Sequence, residues 1–371
     1  MNAPRIEVDL AKIRHNTQSL VKRLEPLGIA VLGVTKAVCG NAAIAQAMIG
    51  GGALGLADAR ISNVGKMRKS GIKAPITLIR TPMLSQVEQV VSVCEASCNT
   101  ELSVIAGLSA AAVRAQKTHG VILMVEMGDM REGISPDHLG VIAKEVDGMP
   151  GVSLKGIGAN FACLGGLVPD ATQMANLSKL AMSIDRRREA PLEIVSGGNS
   201  ANLPWAMGQS HIGRINELRL GEAILLGVDP VTGKQISGLY TDAFILIAEV
   251  IETKTNPASV ADRGPCFDAR HLVAQNSQNA RSILALGVQD TDLSGLTMPV
   301  CIRFVGATSD HTIITNPKSH LHVGNEVKFH MNYGALMRAM AAPNIAIRLL
   351  GDAPLLKSIS TKHSRPTLTL V

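Results

Sequence analysis

The sequence predicts an α/β chain, an N-terminal (βα)8 TIM-type barrel followed by a mostly antiparallel β domain. Three observations carry that prediction. From residue 29 to about 228, short β-branched-rich runs alternate with helical windows eight times. The runs are continuously apolar, as strands buried on both faces of a parallel sheet must be. Eight such units in about 200 residues suit a closed barrel better than an open sheet.

The first strand-like piece, PRIEVDL (4–10), precedes a helix and stands outside the eightfold rhythm, which makes it a candidate to pair with the second domain. The barrel runs are IAVLGVT (29–35), ALGLA (53–57), PITLI (75–79), EASCN (95–99), VILMVEM (121–127), LKGIGANF (154–161), LEIVSG (192–197) and ELRLG (217–221). Between them, windows such as AAIAQAMI (42–49) and LSVIAGLSAAAVRAQ (102–116) space apolar residues near the helical period. The turn-rich DPVTGKQISG (229–238) ends the rhythm. Beyond it, LYTDAFILIAEVIETK, MPVCIRFVGATSDHTIITN and NEVKFHMNYGALM read as short strands broken by turns. The expected division is 1–232 for the barrel and 233–371 for the β domain with its extended tail.

Composition removes several function classes. The 371 residues are 46% hydrophobic and 18% charged, with 36 Lys+Arg against 30 Asp+Glu, which excludes a disordered chain. With 1 Trp, 2 Tyr and 5 Phe there is little for bases to stack on, and the one basic run, Arg186-Arg187-Arg188, reads as a solvated helix end, so no nucleic-acid partner is expected. The N-terminus lacks a signal-peptide core and no run reaches the length of a membrane span. Six scattered cysteines suit free thiols in a reducing cytoplasm. Cys94 and Cys98 have no second pair to complete a zinc site, and no metal is expected.

In a βα barrel the active site lies at the C-terminal strand ends, where the loops converge. Strand one ends in Thr35-Lys36, and a lysine following an apolar run points into the mouth, where it is a better nucleophile toward a carbonyl. The plainer reading is a surface lysine in a βα loop. Later strands lead to Asp58 and Arg60, Arg80, Asn99 and Glu101, Arg131 and Asn160. Strand seven opens the loop Ser196-Gly197-Gly198-Asn199-Ser200, and strand eight carries Arg219 and Gly221-Glu222. Glycines ahead of a helix free backbone N–H groups to cradle a phosphate, although such loops also serve as plain turns. A mouth lysine, a late phosphate cup and inward arginines together describe a pyridoxal-phosphate site.

The stretches VLGVTKAVCGN, LADARISN, MVEMGDMREGI, VSGGNSANL, LRLGEAILLG, ALGVQDTDL and GATSDHTII carry a resemblance. From about residue 4 to 342 the chain resembles the alanine racemase family of fold-type III pyridoxal-phosphate enzymes, most closely its ornithine racemase branch. The tail from about 351 lies outside the resemblance. It implies pyridoxal 5'-phosphate as cofactor, with Lys36 as both the Schiff-base lysine and one of two bases. Ser200 and the amides of Gly198, Asn199, Gly221 and Glu222 would hold the phosphate. Arg219 would face the pyridine nitrogen and weaken the ring as an electron sink, which favours racemisation over decarboxylation. Arg131 would lie beside the cofactor phenolate and the substrate carboxylate.

Two departures stand out. Alanine racemases carry a histidine on strand six, where this sequence has Asn160. They also carry a tyrosine, contributed across a homodimer, as the opposite-face base. The matching segment here is Asp262-Arg263-Gly264-Pro265-Cys266-Phe267. Cys266 is the first candidate for that base, His311 the second and Tyr333 the third, each with a structural role as the plainer alternative. The expected activity is a cytoplasmic, homodimeric racemase acting on a small basic amino acid such as ornithine or lysine. Asp310, Asp58 or Glu222 would meet the side-chain cation. A fold-type III decarboxylase and a non-catalytic pyridoxal-phosphate carrier are the alternatives.

Overall fold

The computed structural model describes residues 3–162, 168–208, 211–254, 280–316 and 321–351. Cys163, Cys266 and the tail lie outside the described residues. Strand β1 (Arg5–Asp9) belongs to a compact unit with the residues from Asp242 to Gly351, and Leu10–Thr241 form a second unit.

The larger unit opens with α1 (Leu10–Leu24), whose buried Leu10, Ile13, Thr17, Leu20 and Leu24 repeat at helical spacing on one face. Strands β2 (Ala30–Val34), β3 (Gly55–Asp58), β4 (Ile76–Leu78), β5 (Ala96–Asn99), β6 (His119–Val125), β7 (Val152–Ala159), β8 (Ile194–Ser196) and β9 (Glu217–Leu220) close into one barrel. Every neighbouring pair is parallel, including β2 with β9, where Leu32 lies opposite Arg219 and Gly33 opposite Leu220. Each apolar run of the sequence thus became one barrel strand, with ends that differ from the run by up to two residues. β6 shows why the runs do not alternate, because all seven of its residues are buried.

Helices α2 (Ala42–Gly50), α3 (Ile61–Lys69), α4 (Val87–Val93), α5 (Leu102–Arg114), α6 (Pro136–Asp147), α7 (Ala171–Asp185), α8 (Leu203–Gly208) and α9 (Glu222–Leu226) fill the connections. Their starts are written in the sequence. The Asn41 side chain accepts from the amides of Ala43 and Ile44, and Asp170 with Gln173 forms a reciprocal capping box at α7. Gly156 of β7 is required by closure, since a Cβ there would lie 2.0 Å from the Ile194 carbonyl oxygen of β8.

The smaller unit is built on β10 (Phe244–Lys254), which pairs antiparallel with β1, with β11 (Ala280–Leu284) and with β15 (Glu326–Met331). The sheet runs β12 (Leu296–Thr297), β15, β10, β11, β14 (Thr312–Asn316), β13 (Arg303–Ala307). Helix α10 (Tyr333–Ala341) leads to β16 (Ala346–Leu350), which lies parallel to β1, the one parallel pair among the described pairings of this unit. β15 alternates strictly, with Val327, Phe329 and Met331 inward. Arg5 of β1 is buried because its guanidinium forks onto Glu7 at 3.2 Å and Glu326 at 2.8 Å.

Among the described residues no helix is long and apolar enough to cross a membrane, and no group of three metal-ligating side chains forms. Cys94 and Cys98 are buried free thiols, as core residues would be, while Cys39 and Cys301 are half-buried and free.

Asn16 joins α1 to the rest of the barrel unit. Fully buried, it donates to the carbonyls of Ile224 and Tyr240 and accepts from the Tyr240 amide, at 3.0, 2.8 and 2.8 Å. Asn16→Ala strands these main-chain groups and is expected to cost about 2–4 kcal/mol of unfolding free energy in urea titration. A loss below about 0.5 kcal/mol would mean that those groups find other partners.

Candidate active site at the barrel mouth

Lys36, Arg131, Asn160, Gly198, Asn199, Ser200, Arg219, Gly221 and Glu222 all lie in the barrel unit, at or just beyond the C-terminal ends of β2, β6, β7, β8 and β9. Asp310, His311 and Tyr333 belong to the other unit. Lys36 opens a short 3-10 turn that leaves β2 directly.

Arg219 is 4% exposed and donates to three neutral acceptors: Ser196 Oγ at 2.5 Å, the Ala159 carbonyl at 2.8 Å and Asn160 Oδ1 at 2.9 Å. Its head is therefore held in place by polar atoms that leave the charge intact. Asn160 passes the chain on, donating from Nδ2 to Glu132 Oε1 at 3.1 Å. Glu132 in turn receives the Arg131 fork, Nη2 to Oε1 at 2.5 Å and Nε to Oε2 at 2.9 Å. Burial pushes the Glu132 carboxyl up, but the hydrogen bonds it receives and the charges of Arg131 and Arg219 outweigh this and hold it below the usual range.

This chain explains the asparagine. Glu132 only accepts and Arg219 only donates, so the residue between them must do both, and its amide orientation follows from its neighbours. The sequence reading missed Glu132. Its one signal was an acid beside the strand-end Arg131, a common surface pattern with no site meaning by itself.

The loops after β7, β8 and β9 are also tied together. Asn199 Nδ2 donates to the Phe161 carbonyl at 2.8 Å, and Ser200 Oγ accepts from the Ala223 amide at 3.2 Å. Gly198 has φ +109°, and a Cβ there would lie 2.7 Å from Asn202 Oδ1. Gly221 caps α9 and packs against Val34 of β2, with 3.2 Å between a built Cβ and the Val34 Cβ. A hydroxyl that accepts from Ala223 keeps a hydrogen to give, and the surrounding glycines leave backbone accessible. This donor set fits a phosphate. With Lys36 and Arg219 at neighbouring strand ends, the residues fit pyridoxal phosphate as a whole.

Beside them Asp58, at the end of β3, is fully buried and accepts from Thr35 Oγ1 at 2.7 Å, from the Arg60 amide at 2.8 Å and from Asn63 Nδ2 at 3.1 Å. Both its oxygens are engaged inside the fold. Glu222 is half-buried, and its carboxyl is pushed up to about 7 by burial first and by Asp229 second, against the pull of Lys36. In the other unit Asp310 sits on the exposed turn between β13 and β14, its carboxyl held low by the hydroxyls of Ser309 and Thr308. His311 Nδ1 lies 3.1 Å from Asp310 Oδ1. Tyr333 is the first residue of α10.

Residues 8–230 match the family model described as alanine racemase, N-terminal domain. The chain is 33% identical to ornithine racemase of Acetoanaerobium sticklandii over 355 residues, covering 94% of this chain and 99% of that protein. It is 32% identical to lysine racemase of Thermotoga maritima, covering 92% and 96%. Among solved structures it is similar to alanine racemase from D-cycloserine-producing Streptomyces lavendulae, with TM-score 0.74, 18% identity and coverage of 95% and 98%. Alanine racemase from E. faecalis gives TM-score 0.72, 20% identity and coverage of 93% and 98%.

The raised Glu222 carboxyl has a measurable consequence. In the unfolded chain it ionises near pH ~4.3, whereas in the fold it holds its proton up to about 7. Stability is therefore lost as pH rises through that window and stays reduced above it. Glu222→Gln should match the wild type near pH ~4 and exceed it near pH ~8 by on the order of 1 kcal/mol, after discounting for solvent screening, in denaturant titrations. The same difference at both pH values would mean that the carboxyl is not raised.

Proposed function

Because the chain belongs to the alanine racemase family and is an amino-acid racemase, we propose that it interconverts the L and D forms of a basic amino acid, ornithine or lysine, using pyridoxal 5'-phosphate. The observation that carries the cofactor assignment is Arg219, buried at the end of β9 with its charge directed by neutral acceptors. When bound, pyridoxal phosphate supplies an aldehyde that takes up the substrate amine and a ring that draws electrons from the α-carbon.

The chain's own residues do the rest. Lys36 anchors the cofactor and moves the α-proton on one face. Ser200 and the backbone at Gly198, Asn199, Gly221 and Glu222 hold the phosphate. Arg219 offers donors and no acceptor, so it would leave a ring nitrogen placed beside it unprotonated. That would temper the electron pull and favour return of the proton to the same carbon over loss of another bond. Asn160 keeps the Arg219 head in place, and Arg131, its Nε and Nη2 held by Glu132, turns its remaining edge toward the substrate carboxylate.

Inversion needs an acid or base on the opposite face. Cys266 is proposed for that role, with His311 as the second candidate. Asp310, held ionised by neighbouring hydroxyls, is proposed to meet the substrate's side-chain ammonium. Homodimerisation with shared sites accompanies this reading. The free thiols of Cys39, Cys94, Cys98 and Cys301 support a cytoplasmic location.

The test incubates purified enzyme and pyridoxal phosphate with each enantiomer of ornithine, lysine, arginine, alanine and serine, and reads products by chiral chromatography. Inversion of ornithine or lysine is expected, with exchange of the α-proton into deuterated water, and both should vanish in Lys36→Ala. Preference for alanine or serine would overturn the substrate assignment. Cys266→Ser should slow exchange from one enantiomer more than from the other; equal, wild-type exchange from both would remove Cys266. Glu132→Gln takes the charge from the Arg131–Asn160–Arg219 chain and should lower kcat/KM by about 10–100-fold with the fold intact. An unchanged kcat/KM would show that Arg219 and Arg131 are held without it.

A further inference from the structure

Asp58 poses a problem that the proposed chemistry leaves unsolved. It is a fully buried carboxylate at the mouth of the barrel, and burial pushes its carboxyl up. A charge-bearing group so placed is expensive, and with both oxygens engaged it has nothing to offer a substrate. Its partners show what it holds.

The residue it grips on one side is Thr35, the last before Lys36. Every polar atom of Thr35 is engaged. Its amide donates to the Ala57 carbonyl at 2.9 Å, and its carbonyl accepts from the amides of Val38 at 3.1 Å and Gly40 at 3.2 Å. Its hydroxyl donates to Asp58 Oδ2 at 2.7 Å. The peptide plane that launches Lys36 is thereby fixed. On the other side Asp58 Oδ1 receives Asn63 Nδ2, and Asn63 packs close to Gly40 at the far end of the 35–40 turn. Gly40 has φ +65°, and a Cβ there would lie 2.8 Å from both Cβ and O of Asn63. One carboxylate therefore reaches both ends of the turn, directly through Thr35 and through Asn63 to Gly40.

We propose that Asp58 is a positioning residue for Lys36: by holding Thr35 and Asn63 it clamps the 35–40 turn and fixes the direction in which the Lys36 amine leaves β2. The inference rests on the reading of Lys36 as the cofactor-bearing lysine. A lysine has four rotatable side-chain bonds, so control of its backbone origin is where the fold can most cheaply limit the reach of the amine.

The experiment mixes the full-length chain with pyridoxal phosphate, follows linkage to lysine by stopped-flow absorbance, and locates it by borohydride reduction and peptide mapping. Thr35→Val removes one arm of the clamp and leaves Asp58 its bonds from the Arg60 amide and Asn63. It should slow linkage at Lys36 by about tenfold or more, and Asp58→Ala by at least as much. Thr35→Ser, which keeps the hydroxyl, should recover most of the rate. Thr17→Val serves as the stability control, because Thr17 is equally buried and its hydroxyl donates within α1 to the Ile13 carbonyl, at 2.8 Å. It should lower thermal stability without slowing linkage. Wild-type rates in both Thr35→Val and Asp58→Ala, or slowing no greater than in Thr17→Val at equal folded fraction, would overturn the positioning role alone. Linkage on another lysine of the wild type, or on none, would overturn the assignment of Lys36 and this inference with it.

Discussion

Closing eight parallel strands into one barrel forces the last strand against the first, and the chemistry of this chain depends on that pairing. With Leu32 opposite Arg219 and Gly33 opposite Leu220, the end of β2 and the end of β9 arrive at the same level. Lys36 and the Arg219–Glu222 segment, 183 to 186 residues apart in sequence, become neighbours because register leaves them no other place. The glycines at 156 and 221 are part of the same constraint, since side chains there would hold adjacent strands apart.

Around the mouth, hydrogen bonds link one strand-end loop to the next. Glu132 reaches Asn160, Asn199 reaches the Phe161 carbonyl, Ser200 reaches the Ala223 amide, and Thr35 reaches Asp58. Each bond is worth only about 1 kcal/mol net, yet breaking one leaves a buried polar group unpaired at a cost of about 1–3 kcal/mol. Rigidity follows from that asymmetry. Short loops that would otherwise sample many conformations present their donors in one arrangement, so little ordering remains to be done when a ligand arrives.

Arg219 shows how such a site keeps a charge useful. A carboxylate in direct contact would have neutralised it, and no contact at all would have left it costly to bury. Neutral acceptors at the first contact, with Glu132 one residue further out, keep the charge both tolerable and directed. The departure from the alanine racemase pattern at Asn160 is consistent with this. An amide is donor and acceptor at every pH, so the link between Glu132 and Arg219 does not titrate.

Local patterning along the chain is enough to specify the barrel, its eight strands and the strand-end residues Lys36, Asn160, Arg219 and the Gly198–Ser200 loop. Continuous apolar runs, glycines and helix caps act locally, and a parallel barrel permits one order of strands. β15 was equally legible, because alternation is a local signature too. Partnership, by contrast, comes from the closed fold. Nothing in the spacing of Thr35 and Asp58, or of Glu132 and Asn160, tells which donor meets which acceptor, since those bonds join loops from different strands. Asp58 reads in the sequence as a carboxylate for a substrate, and only its burial, with Thr35 and Asn63 on its oxygens, turns it into part of the frame. Periodicity encodes which face is buried; closure of the barrel decides what each buried polar group must bond.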